Sequence, residues 1–146
     1  MTVANATMAD IDSWLEIVRE VEPLFGPMPD FAATLREKIG EGQALCVRGE
    51  DGAVQGAMLL GGTTEHSWIR WLAVRRAARR RGVGRRLVAA AIAHLSAAHT
   101  ISLDTFREDL AEGRPALRLY ERMGFAAGPL VGANDAPRQR YVLARR

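Results

Sequence analysis

The 146-residue sequence is poor in several features, and each scarcity excludes a class of protein. A single cysteine, Cys46, excludes an internal disulfide framework, and its apolar surroundings, QALCVRG, predict a buried thiol on a strand. No segment approaches the roughly 18 uninterrupted apolar residues that cross a bilayer. The first residues contain no basic segment followed by an apolar one, as a signal peptide would. We therefore expect a cytoplasmic protein with no membrane partner.

Lysine is also scarce, so arginine carries the positive charge. Lys38 is the only lysine among 20 basic residues, and the formal net charge is +3. The charge is unevenly placed, because seven of the twelve residues 75–86 are arginine while the first forty residues lean acidic. Such a basic patch predicts an anionic partner without identifying it.

What the chain does contain is the composition of a globular protein, with 48% hydrophobic and 25% charged residues. Apolar periodicity and turn residues predict the order β-α-α-β-β-β-α-β-α-β-β. The runs QALCVRG and AVQGAMLLGG, joined by EDG, are typical of a hairpin. We predict one α/β (α+β) domain over residues 1–146, with a mostly antiparallel sheet and helices on both faces.

The arginine-rich segment RRAARRRGVG lies between a predicted strand, IRWLAV, and a predicted helix, RLVAAAIAHL. Gly82 and Gly84 lack Cβ atoms, so a ligand can approach the main chain at this turn. Arg85 and Arg86 occupy the first helical turn, where each cation costs about 0.3–1 kcal/mol against the helix dipole. A bound anion would reverse that penalty, so the segment predicts an anion site.

The residues alone do not identify the anion. The phosphate-binding pattern G-x-x-x-x-G-K-[ST] is absent. A dinucleotide motif, G-x-G-x-x-G, fits only in part, because Leu87 stands at its third glycine, although Asp104 lies where a ribose-binding acid is expected. A nicotinamide-dependent oxidoreductase and an arginine-rich nucleic-acid-binding module therefore stay as alternatives to a site for one small phosphate group.

Two motifs together resemble the GNAT superfamily of N-acetyltransferases. The segment RWLAVRRAARRRGVGRRLV resembles its acyl-CoA-binding motif, [Q/R]-x-x-G-x-[G/A], with Arg79, Gly82 and Gly84 at the defined positions. The segment RPALRLYERMGF is similar to its second signature, a helix that carries a tyrosine, here Tyr120, and ends in Gly-Phe. The predicted strand order also matches this superfamily over essentially the whole chain.

This resemblance implies an N-acetyltransferase that moves an acetyl group from acetyl-CoA, its co-substrate, to a primary amine, with no metal. It implies that the pantetheine arm runs beside the strand that holds Leu72, Ala73 and Val74. It places the pyrophosphate on backbone N–H groups of the turn. The residues expected there are Arg79, Arg80, Arg81, Gly82, Val83, Gly84 and Arg85. Arg75, Arg76 or a neighbouring arginine is expected to meet the outer phosphate.

For catalysis, the resemblance implies that Tyr120 protonates the leaving thiolate. Two positions depart from the superfamily pattern: Gly113 replaces an asparagine, and Trp68 stands where many members carry a glutamate base. Glu65 and His66 are the nearest titratable substitutes for that base.

The implied partner is a small-molecule or peptide amine, with no nucleic acid, and a homodimer is compatible with the resemblance. We expect an apolar acceptor wall, and acids that attract an ammonium group. The wall residues are Phe25, Met28 and Phe31, and the acids are Glu22, Asp30 or Asp135.

Overall fold

In the part of the chain that the structure describes, seven strands form one sheet and four α-helices pack on its two faces. This computed structural model describes residues 2–105, 113–132 and 138–144. In chain order the elements are β1 (Val3–Asn5), α1 (Ile11–Phe25), α2 (Phe31–Gly40), β2 (Ala44–Arg48), β3 (Val54–Gly62), β4 (His66–Val74), α3 (Val83–His94), β5 (Thr100–Thr105), α4 (Arg114–Arg122), β6 (Ala126–Val131) and β7 (Arg138–Ala144). The predicted order of strands and helices is confirmed. In the ranges described, no helix combines the length and apolar character needed to cross a membrane.

The sheet has the order β1-β2-β3-β4-β5-β7-β6. Neighbouring strands pair antiparallel except β4 and β5, which are parallel and joined by α3. A parallel pair needs a crossover connection, and α3 provides it. The predicted mixed, mostly antiparallel sheet is therefore confirmed, with its single parallel pair at the centre.

Each face of the sheet has its own hydrophobic core. Helices α3 and α4 cover one face, where Leu87 and Leu117 pack with Met58 and Ile69 of the central strands. Helices α1 and α2 cover the other face over β2, β3 and β4, and Trp14 is fully buried there. Cys46 lies in this second core with no exposed surface, so the predicted buried thiol is confirmed, and burial raises its pKa to about 11.

Helix α3 packs directly on the backbone of β3 at Gly56. A Cβ built on Gly56 would stand 2.4 Å from Cγ1 of Val83 and 3.1 Å from Cδ1 of Leu87. Real side chains do not approach so closely, so only glycine admits the first turns of α3 at this depth. The contact brings the first turns of α3 against the centre of the sheet.

A bulge interrupts the middle of β4. Leu59 of β3 pairs with Trp71, and the next residue, Leu60, pairs with Ile69, so Arg70 is an extra residue without a partner on β3. A bulge bends a strand and redirects the side chain that it carries. The consequence here is a change of face, because Ile69 packs on the α3 side and Trp71 on the α1–α2 side.

Candidate active site where two strands part

The candidate site begins where β4 and β5 separate. Their register runs from His66 opposite Thr100 to Ile69 opposite Leu103 and stops there, although β4 continues to Val74. Residues 70–74 therefore present an unpaired strand edge on the β5 side. A gap between two strands can accept an extended chain that completes the missing hydrogen bonds.

The main-chain groups that face this gap follow from strand alternation. The N–H of Arg75 donates to the carbonyl oxygen of Gln55 on β3 at 2.8 Å. Because alternate residues of a strand bond to opposite neighbours, Ala73 also faces β3, whereas Leu72 and Val74 direct their peptide groups into the gap. The predicted segment of Leu72, Ala73 and Val74 thus lies along the gap, with two of its three residues turned toward it.

The turn after β4 holds a run of unused backbone donors. None of the N–H groups of residues 80–85 reaches an acceptor among the described residues at normal hydrogen-bond geometry, and no side chain caps α3. The first partnered N–H is that of Arg86, which donates to Gly82 at 3.0 Å. Six consecutive free donors at a helix N-terminus form an anion-binding concavity.

Two residues of this turn adopt the left-handed backbone conformation that such a concavity requires. Gly82 has φ of 76° and Arg80 has φ of 65°, the one positive φ of a non-glycine residue in the described chain. A side chain in this left-handed region costs roughly 1–2 kcal/mol. Both residues therefore adopt a backbone conformation that is typical of anion-binding turns.

Gly82 and Gly84 have different structural reasons to be glycine. A Cβ on Gly82 would meet nothing within 4 Å, so its positive φ and open space are what distinguish it. A Cβ on Gly84 would stand 3.2 Å from Cδ2 of Leu119 on α4. Gly84 therefore allows α4 to pack against the first turn of α3. Gly82 faces the open side of the turn, where a ligand can approach, and Gly84 faces the protein.

Among the described residues, the arginines around the turn have no acidic partners. Arg79, Arg80, Arg81 and Arg85 are exposed, and within the described residues no carboxylate lies within 4 Å of them. Nε of Arg79 donates to the Val74 carbonyl at 3.3 Å, which holds this side chain at the mouth of the gap. Unneutralised cations beside free N–H groups leave the turn strongly attractive to an anion.

Arg75 and Arg76 differ from those arginines because α1 engages both. Nε of Arg75 donates to the Val54 carbonyl at 3.2 Å, and its Nη1 lies 3.9 Å from Oε2 of Glu16. The backbone N–H of Arg76 donates to Glu20, while its side chain is exposed. Of the two arginines expected near an outer phosphate, Arg76 is therefore the one with an uncommitted guanidinium.

Tyr120 lies on α4 and is 4% exposed. Its ring packs against Phe125 and Tyr141, with centroids 6.0 and 6.2 Å away, and in the described chain its hydroxyl makes no hydrogen bond. Burial raises the pKa of the phenol well above its ordinary value. The hydroxyl is therefore protonated at neutral pH, as a proton donor must be.

Glu65 and His66 lie at the other end of β4. The Glu65 carbonyl accepts from the N–H of His99 at 2.7 Å, and Nδ1 of His66 is 3.0 Å from Oγ1 of Thr100. Five residues of strand, about 16 Å, separate Glu65 from Arg70, where the strands part. The structure does not bring these two exposed side chains to the gap, and this placement argues against either as the base.

On the α1–α2 side of the gap lies an aromatic surface. Trp71 contacts Phe31 and Phe25, with ring centroids 4.7 and 5.9 Å away. Trp68 lies beside two guanidinium groups, those of Arg70 at 4.7 Å and Arg140 at 4.8 Å from its ring centroid. Phe25, Met28 and Phe31 were expected as an apolar wall, and all three belong to this core. Asp135 lies outside the described residues.

An ion pair between Asp104 and Arg140 lies beside this aromatic surface, and the sequence alone does not predict it. Asp104, the candidate ribose-binding acid, instead accepts from Nε and Nη2 of Arg140 at 2.8 and 3.1 Å. Because Asp104 is paired with Arg140, it is not free to bind a ribose, which argues against a dinucleotide site at this turn. No signal in the sequence indicated the pairing, because the two residues lie on different strands, 36 positions apart.

Comparisons with known proteins identify the fold and the family. A model of the GNAT acetyltransferase domain matches residues 41–127. An aminoglycoside 6'-N-acetyltransferase complexed with coenzyme A aligns with a TM-score of 0.81 at 15% identity, covering 99% of this chain and 97% of the other. A GNAT-family acetyltransferase from Bacillus cereus aligns with a TM-score of 0.78 at 18% identity, with coverage of 99% and 97%.

A third solved structure, the ribosomal-protein-S18-alanine N-acetyltransferase from Escherichia coli, aligns with a TM-score of 0.72 at 19% identity, covering 98% of this chain and 92% of the other. No curated protein sequence matches the chain significantly. The structural similarities establish the fold, and the domain model covers more than half of the sequence, including the gap and the turn. The chain therefore belongs to the GNAT family of acyl-CoA-dependent acetyltransferases.

Proposed function

We propose that the chain transfers an acetyl group from acetyl-CoA to a primary amine by direct attack. The observation that carries the proposal is the run of unused N–H donors in residues 80–85, placed at the mouth of the gap between β4 and β5. Family membership supports the reaction class, and the residue roles below are part of the proposal.

The described residues suit three parts of coenzyme A: its diphosphate, its pantetheine arm and its outer phosphate. The N–H groups of residues 80–85 and the helix dipole of α3 suit a diphosphate. The unpaired edge at Leu72 and Val74 suits the amide groups of a pantetheine arm, which can bond there as an added strand would. The exposed guanidinium of Arg76 lies nearby for an outer phosphate. When bound, acetyl-CoA supplies an activated thioester.

Two groups of this chain act on the reacting atoms in the proposal. The N–H of Leu72, directed into the gap, donates a hydrogen bond to the carbonyl oxygen on which negative charge develops. The hydroxyl of Tyr120 holds the proton that the leaving sulfur takes. Burial raises the pKa of this phenol, so it stays protonated until the thiolate leaves.

The attacking amine enters from the side of the sheet that carries Trp71. It reacts in its neutral form and releases its surplus proton to solvent, since Glu65 and His66 lie at the far end of β4. The acceptor is a small molecule or a peptide terminus. The N-acetyltransferases among the similar structures include enzymes named for an aminoglycoside and for a ribosomal protein.

Thermal unfolding with and without acetyl-CoA tests the binding step. Ligand at a hundred times its Kd adds about 2.7 kcal/mol to the free energy of unfolding, which raises the Tm of a domain this size by roughly 5–10 °C. NAD at the same concentration is the control and leaves Tm unchanged. Thiol release from acetyl-CoA across a panel of amines then tests the transfer, and the absence of any Tm shift at millimolar acetyl-CoA would refute the proposal.

A further inference from the structure

The bulge in β4 places a cation at the inner end of the gap. Arg70 is the extra residue, its side chain is exposed, and its guanidinium lies 4.7 Å from the centroid of Trp68. No carboxylate of a described residue lies within 4 Å of it. The contact with the Trp68 face is a cation–π contact, which leaves the N–H groups of Arg70 available to a ligand.

A second cation converges on the same place. A Cβ on Gly61 of β3 would stand 3.0 Å from both Cγ and Nε of Arg70 and 3.1 Å from Nζ of Lys38. Glycine at position 61 therefore leaves the space that both side chains use. Lys38 donates to the side-chain carbonyl oxygen of Gln43 at 3.0 Å, a neutral partner that leaves its charge uncompensated.

The third cation near Trp68 is already neutralised. Asp104 accepts both hydrogen bonds from Arg140, so this pair contributes no net charge. Arg70 and Lys38 are left as two like charges held together beside an aromatic ring. This arrangement is unfavourable in the free protein, and a bound anion would relieve it.

We propose that the acceptor is a primary amine that also carries a carboxylate, which Arg70 and Lys38 bind beside Trp68. This inference rests on the proposed acetyl transfer and adds the chemical class of its substrate. A guanidinium and an ammonium group that converge on one point match the two oxygens of a carboxylate. Polycations such as polyamines and aminoglycosides are repelled from the same point.

The two cations also assist the amine. An ammonium group held near Arg70 and Lys38 is disfavoured relative to the neutral amine, because a nearby like charge lowers the pKa of a cation. The carboxylate positions the acceptor, and the cations that bind it favour the form of the amine that can attack. Trp68, at the position where the resemblance led us to expect a glutamate base, contributes to this arrangement through its contact with the Arg70 guanidinium.

Initial rates with matched acceptors test the proposal. Each pair differs only in a carboxylate: lysine with cadaverine, phenylalanine with phenethylamine, and an acidic peptide with its amidated counterpart. We expect kcat/KM to be at least 10-fold higher for the carboxylate member, because charge-assisted hydrogen bonds contribute about 1.5–3 kcal/mol. The free amino acids and the peptides distinguish the two sources of such an acceptor.

Two substitutions localise the effect. In Arg70→Gln the ratio of kcat/KM within each pair falls about 10-fold, as expected for one lost charge-assisted contact. Arg122→Gln removes an exposed arginine from the end of α4, on the opposite face of the sheet, and leaves the ratio unchanged. Thermal unfolding of both variants establishes that they are folded.

The outcomes separate the two proposals. No Tm shift with acetyl-CoA and no thiol release would refute the proposed function itself. A Tm shift accompanied by equal or faster turnover of cadaverine, polyamines or aminoglycosides would overturn the carboxylate assignment alone. Binding of acetyl-CoA without turnover of any carboxylate-bearing amine would overturn it too, as would an unchanged ratio in Arg70→Gln.

Discussion

Ile69 and Leu103 are the last register partners between the two parallel strands at the centre of the sheet. Beyond this pair β4 continues for five residues without β5, and the turn that follows carries six N–H groups with no acceptor among the described residues. Binding of a phosphorylated, amide-containing ligand would complete both the edge and the turn. The predictions below test the parts of this arrangement separately.

Gly82→Val should weaken acetyl-CoA binding at least 10-fold while the protein stays folded. A side chain at position 82 meets no protein atom within 4 Å but stands at the turn where the phosphates are proposed to bind, and its φ of 76° adds roughly 1–2 kcal/mol of strain. Calorimetric titration and thermal unfolding check both effects. Gly42→Val, with φ of 71° and equally open space in the turn before β2, should show the same loss of Tm with unchanged affinity.

Tyr120→Phe should lower kcat by 10²-fold or more, the usual contribution of a general acid, with acetyl-CoA affinity nearly unchanged. The ring contacts with Phe125 and Tyr141 survive the substitution, and the hydroxyl has no partner among the described residues to lose. Tyr141→Phe is the matched control, because its hydroxyl donates to Glu121 at 3.0 Å. It should cost about 1 kcal/mol of stability and spare kcat. An equal fall in affinity and turnover for Tyr120→Phe would identify Tyr120 as a packing residue.

Gly56→Ala should destabilise the fold by about 2–3 kcal/mol, since its methyl group would overlap Val83 and crowd Leu87. The corresponding decrease in Tm is roughly 5–10 °C for a domain this size. Gly40→Ala, at the end of α2, introduces a methyl group into open space and should leave Tm unchanged or higher. Equal Tm values for the two variants would mean that α3 can shift away from β3 without cost.

Stability should fall at acid pH through the pair that ties α1 to β2. Arg48 donates to both carboxylate oxygens of Asp10, at 2.9 and 2.6 Å, and these bonds hold the pKa of Asp10 below its ordinary value. A lowered pKa in the folded state stabilises the protein above about pH 4, and the contribution is lost as pH falls through the folded-state value.

Asp10→Asn should therefore lower the free energy of unfolding by about 2 kcal/mol at pH 7, and the difference from the unsubstituted protein should shrink below pH 4. Tm measured between pH 3 and pH 7 tests this. Glu37→Gln, which alters an exposed acid of α2 with no ion pair in the described structure, should parallel the unsubstituted protein throughout. A difference that stays constant with pH would assign the effect to packing instead of charge.

The order of elements could be read from the sequence because each element depends on neighbouring residues. Hairpin and helix boundaries follow from local turns, and Gly52, in the EDG turn, has the positive φ that its position predicts. The anion-binding turn after β4 could be predicted for the same reason, since Gly82, Gly84 and the arginines around them are contiguous in the sequence. Their unused N–H groups follow from one local conformation.

What the sequence could not reveal depends on contacts between distant residues. Glu65 and His66 lie near Trp68 in the chain, which makes them the nearest titratable candidates for a base, but strand direction carries them away from the gap. The bulge at Arg70 depends on how β3 pairs with β4, and the neutralisation of Arg140 depends on β5 and β7 being neighbours. None of these pairings between distant residues leaves a recognisable pattern in the neighbouring sequence.

The contact between Gly84 and Leu119 has a consequence for the timing of events in the site. It rests the helix that carries the phenol directly on the first turn of the helix that ends the phosphate loop. Ordering of that loop would therefore be transmitted to α4 through packed atoms, without an intervening linker. Arrival of the nucleotide end of the ligand could therefore be felt at the proton donor before an acceptor needs to be present.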